Sequence, residues 1–369
     1  MMLKMRRYRF LLLVGLLVLC IAARGIAAED DSWWLVSPEL LKHAKLEIVW
    51  QAELLLEQGE SIKDLHILGN RIYALSNRNY IVSLDRKKGS VIFERSFAPT
   101  GFRIVGLELY NNELLSIIGS ELVEVNLEFG TGRSTKRLEF GAVCPPARNS
   151  SYFYLSGTDG RIHTLRADDK VQVFEVAADN DSMITSIIAD DNFVVFGTEA
   201  GNVVSITPDG PRRLWQFDAA GGIAGPIIRD GESLFFASKD TNVYRINIVD
   251  VSKREFVWKY RTAAVLDRSP RVTREVVYQH VLYQGLSAIN RESGKLMWEV
   301  PGGIDLLVEA AGKAYVIAKS RLVVMDNKKA KRLYSVNFAG ISNYAANTAD
   351  SKIYIANKAG RIACLKPIE

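Results

Sequence analysis

Three features of this 369-residue sequence predict an all-β fold built from repeated four-stranded units. First, a cassette recurs in which an apolar strand ends at an acidic or amide residue, a polar turn follows, and a second strand carries an aromatic residue. Its clearest copies are LDRKKGSVIF at 84–93 and INRESGKLMW at 289–298. Second, the cassette returns roughly every 40 residues, and third, only short strands bounded by Gly, Asn and Asp lie between the copies. This combination is typical of the blades of a β-propeller.

The aromatic residue of each cassette, or its apolar substitute, marks one blade. The markers are Trp50, Phe93, Leu138, Phe174, Trp215, Trp258, Trp298 and Tyr334. Successive markers lie 36 to 45 residues apart. One aromatic per blade favours packing between neighbouring blades over stacking on a sugar or a base. Eight markers predict eight blades; seven is the alternative, because the second and seventh units diverge from the others.

The first 28 residues have the order of a secretory signal peptide. A basic start precedes an apolar run over 10–23 and small residues at Gly25, Ala27 and Ala28. The run is short for a membrane-spanning helix. We expect cleavage after Ala27 or Ala28 and export to the periplasm or cell envelope of a bacterium. Lipidation at Cys20 or an uncleaved leader are the alternatives, and only they would attach the chain to a membrane.

The leader also explains the formal net charge of +5. Residues 1–28 carry five basic side chains and no acidic one, which is the whole excess of 47 basic over 42 acidic side chains. The remaining chain is formally neutral. Its charge therefore does not favour binding to nucleic acid.

Residues 29–45 form an N-terminal extension. Ser37, Pro38 and Glu39 have the order of an N-cap, a first helical residue and a first-turn acid, and they predict a short helix near residues 39–44. Trp33 and Trp34 precede it in a polar setting. This pair either packs over the ring, which is the simpler interpretation, or contacts a partner.

The propeller is predicted to occupy residues 46–369 as one domain, because no linker interrupts the repeats. The predicted blades span 62–97, 102–140, 143–174, 184–217, 223–260, 269–300, 304–338 and 341–365. The last of them has no fourth strand, whereas residues 46–54, around Trp50, are a strand without a blade. We therefore expect the N-terminal strand to complete the last blade, which removes the open edge of the sheet.

No group of residues predicts a catalytic, cofactor or metal site. The four histidines, at positions 43, 66, 163 and 280, lack the spacing of metal ligands. The acidic pairs at 168–169 and 190–191 and the lone Asp250 fall in hairpin turns, where Asp accepts hydrogen bonds from nearby backbone amides. The GTDG stretch at 157–160 resembles a phosphate-binding loop, but no helix follows it.

Two further groups receive structural interpretations. Cys144 and Cys364 are expected to be free, buried thiols, because repeats three and eight lie apart in a ring of eight. The basic clusters at 86–88 and 328–332 fall in turns, so we expect them to be solvated.

The repeats resemble those of quinoprotein-like β-propellers, also called PQQ-like repeats. The resemblance rests on SGTDGRIHTL at 156–165, FGTEAGNVVSI at 196–206 and the two cassettes given above, and it covers nearly everything after residue 45. The family includes dehydrogenases that use pyrroloquinoline quinone and exported propellers without catalytic activity. Among the latter, the propeller lipoprotein of the outer-membrane β-barrel assembly machine is similar in size and acts as a scaffold. The dehydrogenases hold their cofactor over adjacent cysteines, which this shorter sequence does not contain.

The sequence therefore predicts an exported, monomeric, non-enzymatic propeller that binds a protein of the cell envelope through loops at one end of its ring. No cofactor is expected. The alternative is a PQQ- or metal-dependent oxidoreductase or a carbohydrate-acting enzyme, with polar groups that converge over the central channel.

Overall fold

The computed structural model describes residues 33–368. The predicted signal peptide, including Cys20, lies outside this range, as do residues 29–32 of the extension. Between residues 33 and 368, no helix is both long and apolar enough to cross a membrane.

The described chain folds into eight four-stranded antiparallel sheets arranged as blades. A helix, α1 (Pro38–His43), and strand β1 (Leu46–Glu53) come first. Blade 1 contains β2 (Ile62–Leu68), β3 (Arg71–Ser76), β4 (Tyr80–Asp85) and β5 (Val91–Ser96), and blade 2 contains β6 (Ile104–Tyr110), β7 (Glu113–Ile118), β8 (Glu121–Asn126) and β9 (Gly132–Arg137). Blade 3 contains β10 (Ala147–Arg148), β11 (Tyr152–Ser156), β12 (Arg161–Arg166) and β13 (Gln172–Ala177), and a short 3-10 turn (Asp179–Asp181) leads to blade 4, with β14 (Ile184–Ala189), β15 (Val194–Thr198), β16 (Asn202–Ile206) and β17 (Arg213–Asp218).

The second half of the ring repeats the arrangement. Blade 5 contains β18 (Ile228–Asp230), β19 (Ser233–Ala237), β20 (Asn242–Asp250) and β21 (Lys253–Arg261), and blade 6 contains β22 (Arg271–Val272), β23 (Val276–Val281), β24 (Gly285–Asn290) and β25 (Leu296–Pro301). Blade 7 contains β26 (Asp305–Ala310), β27 (Lys313–Ala318), β28 (Arg321–Asp326) and β29 (Lys331–Asn337), and blade 8 contains β30 (Asn343–Ala345), β31 (Ile353–Ala356), β32 (Arg361–Pro367) and β1. First strands of neighbouring blades contact one another, which makes them the inner strands around the axis.

The N-terminal strand closes the ring, as the sequence predicts. Strand β1 pairs antiparallel with β32, with Trp50 opposite Cys364 and Ala52 opposite Ile362. Blade 8 therefore joins both ends of the described chain. The eight-bladed prediction is confirmed, and the alternative of seven blades is wrong.

The extension covers the outer end of the interface between blades 7 and 8. Helix α1 begins at Pro38, the predicted first helical residue, and the hydroxyl of the predicted N-cap Ser37 accepts a hydrogen bond from the Leu40 amide. Leu41 and Ala44 are buried in the apolar cluster that blades 7 and 8 share. The Tyr334 hydroxyl donates to the Ala44 carbonyl at 2.8 Å. The helix is thus fixed to the ring by packing and by its cap.

The core is divided among the blade interfaces. Within the described residues, each pair of neighbouring blades shares one cluster of buried apolar side chains, eight in all. Because each blade buries one face against each neighbour, its stability depends on both neighbours.

The marker aromatics lock one blade to the next. The Trp50 ring of blade 8 lies against Gly89 in the cassette turn of blade 1, where a Cβ would approach the ring to 2.5 Å. The Trp50 indole also donates to the Arg86 carbonyl of that turn at 3.1 Å. Trp258 repeats both contacts, with Gly294 and with the Arg291 carbonyl. At these two interfaces the marker ring packs between neighbouring blades.

The residue at the second position of the turn anchors a second ring of the preceding blade. The Arg86 guanidinium donates to the Tyr354 hydroxyl at 3.1 Å and lies 2.9 Å from the Asp350 carboxylate. In blade 7, the Asn327 amide donates to the Tyr278 hydroxyl and accepts from the Trp298 indole. The prediction of a solvated Arg86 is therefore wrong, because its side chain is only 13% exposed. Lys87, Lys88 and residues 328–332 are exposed, as predicted.

The marker predicted for blade 2 is also wrong. Phe93 pairs with Ser83 and Trp298 pairs with Ala288, each just before a register shift, and the corresponding pair in blade 2 is Ser134 and Glu124. Leu138 lies four residues further on, where its amide donates to the Ser120 carbonyl. With Ser134 as the marker, the intervals narrow to 36 to 43 residues.

An ionic cluster replaces the aromatic lock between blades 2 and 3. Lys170 occupies the turn position that Gly89 occupies in blade 1, with φ 58°, and its ammonium lies 2.6 Å from the Glu124 carboxylate. Arg148 lies 2.9 Å from Glu124 and 3.1 Å from Glu113. The Glu124 side chain is 6% exposed, so these charges neutralise one another away from water.

Gly89→Ala tests the lock. Gly312 has nearly the same φ, 71° against 72°, but no atom lies within 4 Å of the position its Cβ would take. Gly312→Ala therefore measures the backbone cost alone, about 1 kcal/mol. We expect Gly89→Ala to cost a further ~1–3 kcal/mol because the methyl group overlaps the Trp50 ring. Urea unfolding measures both variants, and equal losses of stability would contradict the lock.

Glu124→Ala tests the ionic cluster. The substitution leaves Lys170 and Arg148 partly buried with less opposite charge, so we expect a loss of about 3–5 kcal/mol. The control is Glu121→Ala on the same strand, where the side chain is exposed, with an expected change below ~0.5 kcal/mol. A Glu124 variant as stable as the Glu121 variant in urea would show that the cluster does not stabilise the interface.

Candidate functional site

Four of the large apolar side chains that are exposed lie at one end of the ring. We call this end the upper face; it carries the loops that follow the fourth strands and the turns that join second to third strands. Leu55 is 91% exposed, Tyr283 is fully exposed, and Phe102 and Val265 are about half exposed. Leu55 and Phe102 flank blade 1, whereas Val265 and Tyr283 belong to the region of blade 6. The upper face thus carries two apolar pairs, three blades apart.

Tyr283 combines exposure with an unfavourable backbone conformation. It lies in the turn between β23 and β24 with φ 63°. For a residue other than glycine this conformation costs about 1 kcal/mol. The ring gains no burial from folding, so the stability of the blade does not explain a tyrosine there.

A cavity of about 300 Å³ lies in the central channel, beside the inner strands of blades 2 to 5. Its apolar wall includes Pro145, Pro146, Ile187, Ile188 and Ile227, and its polar groups include Glu108, Thr185 and Ser186. The cavity is open to solvent, and the Glu108 side chain is exposed in it.

A glycine bulge directs Glu108 into this cavity. The register between β6 and β7 shifts between Val105 and Glu108, and Gly106 in the bulge has φ 70°. A Cβ on Gly106 would overlap Pro145 of blade 3, so only glycine fits. The channel walls remove part of the water around the exposed carboxyl, and this partial desolvation raises the pKa of Glu108 to about 7.

Sequence reasoning missed Glu108. The only signal was a glycine inside the strand IVGLELY at 104–110, which is typical of a bulge or of a close backbone approach. The side chain that such a bulge redirects depends on strand pairing, which the sequence alone does not supply.

The histidines do not converge. They lie on α1 and in blades 1, 3 and 6. His163 is buried, its ring stacks on Phe140, and its Nε2 lies 3.0 Å from the Asp159 carboxylate. Among residues 33–368, no group of three His, Cys, Asp or Glu side chains could hold a metal ion.

The cysteines and turn acids lie where the sequence places them. Cys144 and Cys364 are free and buried, and burial raises the pKa of each thiol to about 11. Asp169 and Asp190 each accept a hydrogen bond from the amide two residues later, which confirms their role in turns. The GTDG stretch joins β11 to β12 as a hairpin.

The tryptophan pair lies along blade 8. The Trp33 carbonyl accepts from the Gln51 side chain at 2.8 Å, and its ring lies 5.8 Å from the Arg361 guanidinium. Trp33 is 47% exposed, whereas Trp34 is partly buried. A contact of these two side chains with a partner stays a prediction.

Glu108→Gln tests the environment of the channel. The pKa of this carboxyl in the folded state lies above its ordinary value of 4.5, so its contribution to stability is complete below pH 4.5 and is lost as pH rises through about 7. The glutamine variant cannot ionise. We therefore expect its thermal midpoint, relative to the wild type, to be higher at pH 8 than at pH 5. The control is Glu128→Gln in an exposed turn. A difference that does not change with pH would contradict the enclosed position of Glu108.

Comparisons with known proteins identify the fold. No protein-family model and no curated protein sequence matches the chain. Among the solved structures that are similar is BamB from Moraxella catarrhalis, with a TM-score of 0.67, 14% identity and coverage of 87% of this chain and 97% of that one. Another is the computationally designed Ika8 protein, with a TM-score of 0.63, 13% identity and coverage of 85% of this chain and 98% of that one. A third is the propeller domain of Myceliophteria thermophila Cps50 (Swd1), with a TM-score of 0.56, 12% identity and coverage of 87% of this chain and 99% of that one. These likenesses show a β-propeller. Membership of the PQQ-like repeat family stays a prediction.

Proposed function

We propose that this protein is an exported, non-enzymatic β-propeller that acts as a protein-binding scaffold in the cell envelope or periplasm of a bacterium. The observation that carries the proposal is the exposure of Leu55, Phe102, Val265 and Tyr283 on the upper face. Aromatic and large aliphatic side chains are typical anchors of protein–protein interfaces. The likeness to BamB and the sequence resemblance to exported, non-catalytic propellers support the same role.

The arrangement of the apolar pairs constrains the partner. Because the pairs are three blades apart, a partner that contacts both must extend over a large part of the upper face. Loops on a rigid scaffold commonly carry such contacts, since they vary without disturbing the sheets below them.

Tyr283→Asp combined with Phe102→Asp tests the docking face. Aromatic anchors at the centre of an interface typically contribute about 2 kcal/mol each, so we expect the double variant to lose roughly 1,000-fold in affinity. Affinity purification from bacterial envelope extracts identifies the partner, and titration of the purified partner measures the affinity.

The matched control is Phe129→Asp, because Phe129 is 62% exposed in a turn at the opposite end of the ring. This variant should retain the partner. Recovery of the partner by the double variant at the wild-type level, or the absence of any stoichiometric partner of the wild type, would contradict the proposal.

Sequencing the N-terminus of the exported protein tests cleavage after Ala27 or Ala28 in the same preparation.

A further inference from the structure

Glu108 is a carboxyl group that the fold places but does not pair. Within the described residues it has no hydrogen bond or ion pair, and burial alone shifts its pKa. The nearest cation in the cavity wall is Arg148, and its guanidinium is already bound to Glu113 and Glu124. A carboxylate that lies in a walled, solvent-filled cavity without a partner is available to a ligand that supplies a positive charge or hydrogen-bond donors.

The rest of the cavity defines the shape of such a ligand. Its apolar wall includes three prolines, three isoleucines and two leucines, which favour contact with a short hydrocarbon chain. The Ser186 hydroxyl accepts from the Ile227 amide at 2.9 Å, and the Thr185 hydroxyl lies within 3.4 Å of two backbone carbonyls. The volume of about 300 Å³ suits a group of few atoms.

We propose that this cavity binds an alkylammonium group. The ammonium pairs with the Glu108 carboxylate, and the attached carbon chain packs against the apolar wall. The group belongs either to a free amine or to the lysine side chain of a partner segment that enters the channel. Divalent cations are poor candidates because they need several oxygen ligands and Glu108 supplies one carboxylate.

The neighbouring strands define the charges that Glu108 meets. Strand β2 carries Lys63, Asp64 and His66; the first two lie 3.7 Å apart, and burial lowers the pKa of His66. Beside β10, Cys144 is a buried thiol whose raised pKa keeps it neutral at physiological pH. Strand β14 carries no titratable side chain. Glu108 therefore sets the pH dependence of binding: an ammonium favours the ionised carboxylate, so affinity increases as pH rises through about 7, and binding releases a proton.

The test uses n-butylammonium chloride as the charged probe, n-butanol as its neutral counterpart and Nα-acetyl-lysine amide as the lysine side chain. Isothermal titration calorimetry of the exported protein at pH 5 and pH 8 measures affinity and, in buffers of different ionisation enthalpy, proton release. We expect butylammonium to bind at least about tenfold more tightly at pH 8 than at pH 5 and to bind Glu108→Gln at least about tenfold more weakly than the wild type at pH 8. Glu128→Gln should bind like the wild type.

The probes also separate the two sources of the group. If butylammonium binds and the lysine amide does not, the site takes a free amine. If both bind, the site also accepts the lysine side chain of a partner segment. The proposal is overturned if the wild type binds neither charged probe, if butanol binds as tightly as butylammonium, or if Glu108→Gln binds like the wild type. None of these results depends on the partner of the upper face.

Discussion

The contact between an outer aromatic ring and the cassette turn of the next blade is the interaction on which the rest of the structure depends. A four-stranded sheet has two faces, and here each face packs against a neighbouring blade. The Trp50 lock joins the strand at the beginning of the described chain to a turn in blade 1, and the pairing of β1 with β32 joins it to the end. Closure therefore protects blades 8 and 1, because each would lose the cover of one face if the ring opened between them.

The sequence predicts the parts of this fold that depend on local chemistry. Strand period, turn residues and the cassette give the number of blades and their closure. The sequence does not predict contacts between residues that lie far apart in the chain. Ser134 stands where other blades have an aromatic marker, and Lys170 stands where blade 1 has Gly89. Only the structure shows that the two positions are linked, because Glu124 pairs with Ser134 and binds Lys170. Arg86 lies in a polar turn, but its partners are Asp350 and Tyr354, more than 260 residues away. The sequence did not indicate Glu108 for the same reason: the direction of its side chain depends on a bulge in the pairing of β6 with β7.

The rigid ring separates stability from binding. The aromatic locks and the apolar clusters stabilise the strands. The loops of the upper face contribute little to this stability, as the exposure of Leu55 and Tyr283 shows. Such positions change at low cost to folding, which makes them suitable for contact with a partner. The fold alone does not determine which partner this is, so the argument for a scaffold rests on the side chains of this face.

The unusual features of the ring coincide between blades 2 and 3. A buried ionic cluster is satisfied only when blades 2 and 3 meet, so it specifies this interface more strictly than apolar packing does. Arg148 belongs to this cluster and also lines the channel cavity, and Gly106 contacts Pro145 across the same interface. In a protein built from similar repeats, departures from the repeat pattern are expected at functional sites, where the side chains needed for binding replace those needed for packing. The interface that lacks an aromatic lock therefore also borders the cavity that contains Glu108, the carboxyl that the fold leaves unpaired.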